Sequence, residues 1–348
     1  MLKQFTIVSI LLVALGFNSC ETEFSLNGDY QLTPVVFGLM DDNDSIHMIK
    51  ITKAFLGDGS NLVYANNPDS NYFKQVEAII TEYDLSGDAT GRSWLLKDTI
   101  IPNKSSDGVF YSPEQKVYYF REANLNSDYS YELFADLNEG GASISSTTGL
   151  IKGFSPPKYD LGIQKLSFAI NNVDEDGDYR NIRMDFTPGS NAGLYEYAYT
   201  FNWTEYYGSG DSASFSAYKF LGQEGDISNT PVYQGIEFYK WVQETIPDDP
   251  DVVKRTVDGF DVHLSVAHTT FAQYLSVSQP VTGIAQIQPV FTNIDGGYGL
   301  FSSRHVYVKT GLELDPSSMK ELAIGQFTIT KAFCSSYPQH IGLSFYCE

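Results

Sequence analysis

Nine consecutive residues constrain the fold more than any others. Along 195–203 the sequence reads YEYAYTFNW, so Tyr195, Tyr197, Tyr199, Phe201 and Trp203 recur at every second position. Glu196, Ala198, Thr200 and Asn202 fall between them. A helix would scatter these rings around its circumference. Only a β-strand gathers them on one face and leaves the polar residues on the other. Such a face needs a large apolar surface to lie against, or a ligand that stacks on it. Lining a core is the commoner use. The alternative is a platform for a sugar or apolar ligand, which Tyr and Trp suit because each has an apolar body and a polar tip. That alternative makes Tyr195, Tyr197, Tyr199 and Trp203 binding candidates.

The same period recurs elsewhere. Alternating or apolar runs at 31–40, 45–56, 76–81, 94–101, 116–121, 129–137 and 142–151 are separated by turn clusters such as Asp41-Asp42-Asn43-Asp44. That is about seven strands over 30–154, the number and spacing of an immunoglobulin-like sandwich. Leu125 stands six residues before Tyr131 at the start of one run. This resembles the approach to the sixth strand of fibronectin type III domains, which implies an inward tyrosine whose hydroxyl bonds nearby backbone. The segment GFSPPKY at 153–159 follows, and its paired prolines cannot donate ladder hydrogen bonds, so a linker is expected over 155–161. Over 162–348 strands are expected at 165–171, 181–187, 195–203, 213–220, 258–266 and 325–333. Helical spacing appears at 234–246 and 269–277, the latter with Phe271, Tyr274 and Leu275 inward. Asp315-Pro316 reads as an N-cap followed by proline at the first helical position. The expected architecture is mainly β: an immunoglobulin/fibronectin III-like sandwich, then a larger β-sandwich-like domain with about three short helices.

The N-terminus reads as an address. Lys3 precedes the apolar run 5–17, which is too short for a spanning helix of roughly 20 residues, and Asn18-Ser19-Cys20 closes it. The pattern resembles a bacterial lipoprotein signal over 1–19, with Cys20 lipidated and 20–29 a polar tether. Glu21 and Glu23 resemble the surface-export signal of Bacteroidota lipoproteins. The expected location is therefore the outer membrane, lipid-anchored, with the cell surface favoured over the periplasmic face. The 348-residue chain carries 43 acidic against 22 basic side chains, a net charge of −21. Such a surface repels phosphate backbones, so nucleic acid is not an expected partner. Of three cysteines, Cys20 is taken by the anchor. Cys334 and Cys347 lie close together in an exported chain, where a disulfide between them is expected.

The run 289–304 (PVFTNIDGGYGLFSSR) is the other notable stretch. Asn293, Asp295, Gly296, Gly297 and Tyr298 make a glycine-rich turn into a strand, with no lysine or helix to make it a phosphate loop. An element of the form NI-x-G-G-x-G-x-F resembles one in a family of uncharacterised Bacteroidota outer-membrane lipoproteins with an N-terminal immunoglobulin-like domain. That resemblance implies work beside a TonB-dependent outer-membrane receptor, and it brings no catalytic residues. The turn reads either as backbone packed too closely for side chains or as the rim of a binding site. Catalytic patterns are missing. The five histidines form no i,i+4 pair, and there is no G-x-S-x-G elbow and no H-E-x-x-H. Asp174, Asp176, Asp178 and Asp185 faintly echo a calcium loop, but Tyr179 stands where the loop needs glycine, so a solvated acidic turn is expected, with no metal and no cofactor. The function expected is non-enzymatic: capture of a glycan, peptide or other ligand, or assembly beside a transporter. A structural or adhesive role is the alternative, and a glycan-active hydrolase with an unrecognised carboxylate site is a more distant one.

Overall fold

A computed structural model describes residues 31–55, 60–102, 104–108, 110–155, 165–170, 178–183, 186–225, 232–279 and 290–347. The leader, Cys20, the tether, all but Ser155 of the 155–161 linker, and Asp174, Asp176 and Asp185 lie outside the described residues. The protein is mainly β with short helices.

Eight strands build the first sandwich: β1 (Pro34–Asp41), β2 (Ile46–Lys53), β3 (Glu77–Tyr83), β4 (Ala89–Leu95), β5 (Lys97–Ile101), β6 (Gln115–Arg121), β7 (Ser130–Asp136) and β8 (Ser143–Gly149). One layer runs β1-β2-β6-β5 and the other β4-β3-β7-β8. Named in chain order, these are the A-B-E-D and C′-C-F-G layers of an immunoglobulin-like fold. Their inward positions alternate. Val36, Met40, Ile49 and Ile51 from one layer meet Ile80, Leu133, Ala135 and Ile144 from the other. Tyr131 sits on the F-equivalent β7 and is fully buried. Its hydroxyl accepts from the Asn126 amide at 2.7 Å and lies 3.1 Å from the Asn126 carbonyl, the corner geometry that the Leu125–Tyr131 spacing implies.

Within 94–101 the chain makes two strands rather than one. It crosses between layers at buried Leu96, so β4 pairs with β3 and β5 with β6. Two short helices, α1 (Asn61–Ala65) and α2 (Pro68–Asn71), follow β2. They have no apolar periodicity, but Asn67-Pro68 carries the same cap-then-proline signal as Asp315-Pro316: the Asn67 side chain accepts from the Asp69 amide.

The second half adds short β9 (Lys165–Leu166) and β10 (Ile182–Arg183), long β11 (Ala192–Tyr207) and β12 (Ser212–Glu224), and β13 (Val232–Tyr233). Helix α3 (Gly235–Thr245), β14 (Val252–His268), α4 (Thr269–Ser278), β15 (Tyr298–Leu314) and α5 (Pro316–Ile324) follow. The long strands order as β12-β11-β14-β15. The aromatic face of β11 lies in the core of this half with Phe168, Phe238, Trp241, Phe260 and Phe333. Each such aromatic contributes roughly 1.5–3 kcal/mol on burial. Buried Arg255 pairs with Glu205 at 2.7 Å and donates to the Lys331 carbonyl at 2.6 Å. It thus fastens β14 to β11 and to the C-terminal segment.

Three expectations change. Among the described residues, the runs 165–171 and 181–187 contribute only two-residue strands. The run 325–333 is a turn rather than a strand. The amides of Thr328 and Ile329 both bond the Gly325 carbonyl, and a 3₁₀ turn at Ile329–Lys331 leaves Ile329 exposed. Helix α4 buries none of its residues fully, so Phe271, Tyr274 and Leu275 are only half covered.

β15 joins the halves. Its first part pairs parallel with β1, Val35 to Tyr298 through Asp41 to Arg304. Its later part pairs antiparallel with β14. One sheet therefore continues from β5 through β1 and β15 to β12.

Candidate ligand-binding groove

The groove begins with an irregularity in β1. Val35-Val36-Phe37 is apolar on both strand faces. Val36 packs into the sandwich, so Val35 and Phe37 point outward, and Phe37 is 42% exposed. An antiparallel sandwich sheet ordinarily presents polar residues there. Register sets Val35 opposite Thr52 and Phe37 opposite Lys50. The floor is therefore apolar along β1 and cationic or hydroxylic along β2.

Three walls rise from this floor. On one side the Asn71 side-chain amide donates to the Ala65 and Asn67 carbonyls at 2.9 and 2.7 Å, which pins α1 to α2 and sets Tyr72 at the groove. A second wall carries Lys104, Phe110 and Tyr111. It is tied down by the Tyr111 amide on the Ala65 carbonyl and by the Lys104 ammonium on the Tyr111 carbonyl, both at 2.8 Å. The third wall comes from the second half, where α4 brings Tyr274 to 6.3 Å from Phe37, ring to ring. The groove is open to solvent on one side and has a volume of about 680 Å³, in the range of a site for one small organic ligand.

Three lysines line this apolar space: Lys50, Lys53 and Lys104. Lys53 is paired with Glu139 at 3.0 Å. Lys104 has the carbonyl of Tyr111 as its partner. Lys50 makes no hydrogen bond or ion pair among the described residues. Burial, and then the neighbouring Lys104 charge, push its ammonium below the ordinary lysine range. Chemically, the groove is an aromatic slot whose Lys50 and Lys104 have no carboxylate partner among the described residues, in an otherwise strongly acidic protein.

The residues singled out from the sequence fall elsewhere, with one exception. Tyr195, Tyr197 and Tyr199 are 2% exposed and Trp203 is 6% exposed. The aromatic strand is core, which corrects the platform reading. Its opposite face is laced by polar pairs, Thr200 with His263 at 3.0 Å and Asn202 with Asp261 at 3.1 Å. The glycine-rich turn is a clasp between the two layers of the first sandwich. Asp295 bridges Ser145 of β8, and the Asn293 side chain brackets the backbone of Phe301 at 2.6 and 3.0 Å. A Cβ on Gly296 would lie 2.3 Å from the Ser143 carbonyl, and one on Gly297 2.8 Å from the Pro34 carbonyl. Tyr298 is half exposed where β15 starts. Gly299, next in the turn, lines the groove, so this stretch does reach the site. Cys334 and Cys347 are joined by a disulfide. Cys20 lies outside the described residues.

The groove itself escaped sequence reading. Its signal was present in Val35-Val36-Phe37, since a strand apolar on both faces must be covered on both or must bind something.

A second cluster sits at the far end of β1. Asp41, Asp42 and His305 place their ligand-type atoms within 4.8 Å of one another. His305 meets Asp42 at 2.6 Å, and the Arg304 guanidinium approaches Asp41 at 3.5 Å. Arginine already supplies a positive charge there, and the Phe154 ring covers His305 at 5.0 Å. The arrangement reads as a charge network closing the β1–β15 junction. Among the described residues no helix is long and apolar enough to cross a membrane. Compared with known proteins, the chain matches no family model and no curated sequence.

Proposed function

We propose that this is a lipid-anchored protein of the cell envelope that captures a small ligand in the groove between Phe37 and Tyr274 and performs no reaction on it. The observation that carries the reading is the outward-facing apolar side of β1, walled by aromatic residues on three sides. Contiguous exposed apolar surface of this kind marks binding sites. The residues come from both halves of the chain, and β15 holds those halves in register. The leader and Cys20 support a tether, and a tethered capture module fits work beside a TonB-dependent outer-membrane receptor.

The neutral fluorophore 1-N-phenylnaphthylamine tests the capture reading. The chain carrying Cys20→Ala keeps acyl groups, and therefore detergent, out of the titration. Saturable binding is expected, weakened at least about tenfold by Phe37→Ala, which is about 1.4 kcal/mol. Equal affinity in the variant, with an unchanged melt, would refute it. For the tether, Cys20→Ala is expected to release the protein from the membrane fraction. Retention would contradict the anchor.

A further inference from the structure

We propose that the ligand of this groove is an amphiphilic anion: a flat apolar body carrying one carboxylate, sulfonate or phosphate group that meets Lys50 and Lys104. The inference rests on the capture reading and adds the charge of what is captured.

The argument is one of placement. The chain is acidic overall, with 43 acidic against 22 basic side chains, yet among the described residues this apolar groove is lined by three lysines and no carboxylate. Lys53 is neutralised by Glu139 at 3.0 Å. Among the described residues no carboxylate neutralises Lys50 or Lys104 in this way, and they lie close enough for the charge of Lys104 to disfavour that of Lys50. Two like charges beside an apolar floor are costly unless an opposite charge joins them. Lys50 also stands directly opposite Phe37 across the β1–β2 pair. A ligand whose ring lies on Phe37 and Tyr274 therefore brings an attached anionic group to the Lys50 ammonium. Lys104 lies over the Phe110 ring at 5.9 Å, so the second cation lines the same slot from the wall that carries Phe110 and Tyr111. The wider surface, being acidic, repels free anions, so the cations of this groove stand against the prevailing charge.

The test compares two probes of similar aromatic body. 8-Anilinonaphthalene-1-sulfonate carries an anionic group, and 1-N-phenylnaphthylamine does not. Both are titrated into the Cys20→Ala chain, with near-ultraviolet circular dichroism confirming native packing. The sulfonate is expected to bind at least about tenfold tighter than the neutral probe. Lys50→Gln is expected to reduce the ratio of the two affinities about tenfold, a change of about 1.4 kcal/mol. Lys104→Gln should reduce it in the same direction, and it serves if Lys50→Gln fails to fold. Equal affinities in the parent chain, or an unchanged ratio in folded variants, would overturn the anionic inference while leaving capture intact. Failure of both probes to bind would overturn both.

Discussion

Tyr131 shows how much one hydroxyl holds. Besides the Asn126 amide it meets the Glu82 carboxylate at 3.1 Å, and Glu82 in turn accepts from Thr90 at 2.8 Å and Arg92 at 3.1 Å. Tyr131→Phe removes the hydroxyl and leaves the Asn126 amide and Glu82 short of a partner. A loss of roughly 1–3 kcal/mol is expected in urea unfolding; an unchanged midpoint would show that the corner contributes nothing. His305 carries a pH dependence. Burial alone would push its pKa down, but the Asp42 hydrogen bond and the charges of Asp42 and Asp41 outweigh burial, and the net direction is up. The facing groups are Asp41, Asp42, Arg304 and the Phe154 ring. Because the folded protein holds this proton more tightly than the unfolded chain, the pair adds stability that is full below the unfolded value of about 6.5. That stability is lost as pH rises through the folded value. An NMR titration of His305 should give a midpoint above about 6.5, lowered by Asp42→Asn. A midpoint at or below the ordinary value would contradict the pairing.

At the scale of elements, the junction of β1 with β15 decides the fold. Gly299 has φ +113°, and a Cβ there would lie 1.9 Å from the Val36 carbonyl. Gly87 has φ +84° with nothing within 4 Å of its would-be Cβ. Alanine at Gly87 therefore measures the cost of backbone conformation alone. Alanine at Gly299 adds a collision inside the sheet. Gly299→Ala is expected to lower the melting temperature well beyond Gly87→Ala, and equal shifts would mean that the junction yields easily. Legibility follows the same division. Most strands of the first sandwich, the Tyr131 corner, α3, α4 and the Asp315 cap were readable because each rests on residues close in sequence, whereas β4 and β5 merged into one run because the crossing at Leu96 carries no turn residue. The parallel pairing of β1 with β15 was not, because partners such as Val35 and Tyr298 carry no local sign of each other. The glycines of 296–299 announced close packing, but what they pack against was set by that distant pairing. The alternation at 325–333 misled because Gly325 turns the chain after α5, and a period of two means a strand only where a neighbour is available to pair.

One nine-stranded sheet runs through both halves and borders two cores, with the β4-β3-β7-β8 layer closing the first of them, and the groove needs both halves. Floor and two walls come from the first sandwich, and the third wall is α4. Charge also works at this scale: with 43 acidic against 22 basic side chains, the surface repels anions, and the lysine-lined slot runs against that background. The most direct measurement is amide hydrogen exchange with and without saturating 1-N-phenylnaphthylamine. Added protection is expected in β1, at 50–55, at 71–72, around Tyr111 and in α4. Protection over the outer face of β11, β12 and β14 instead, or no protection anywhere, would contradict the groove as the site of capture.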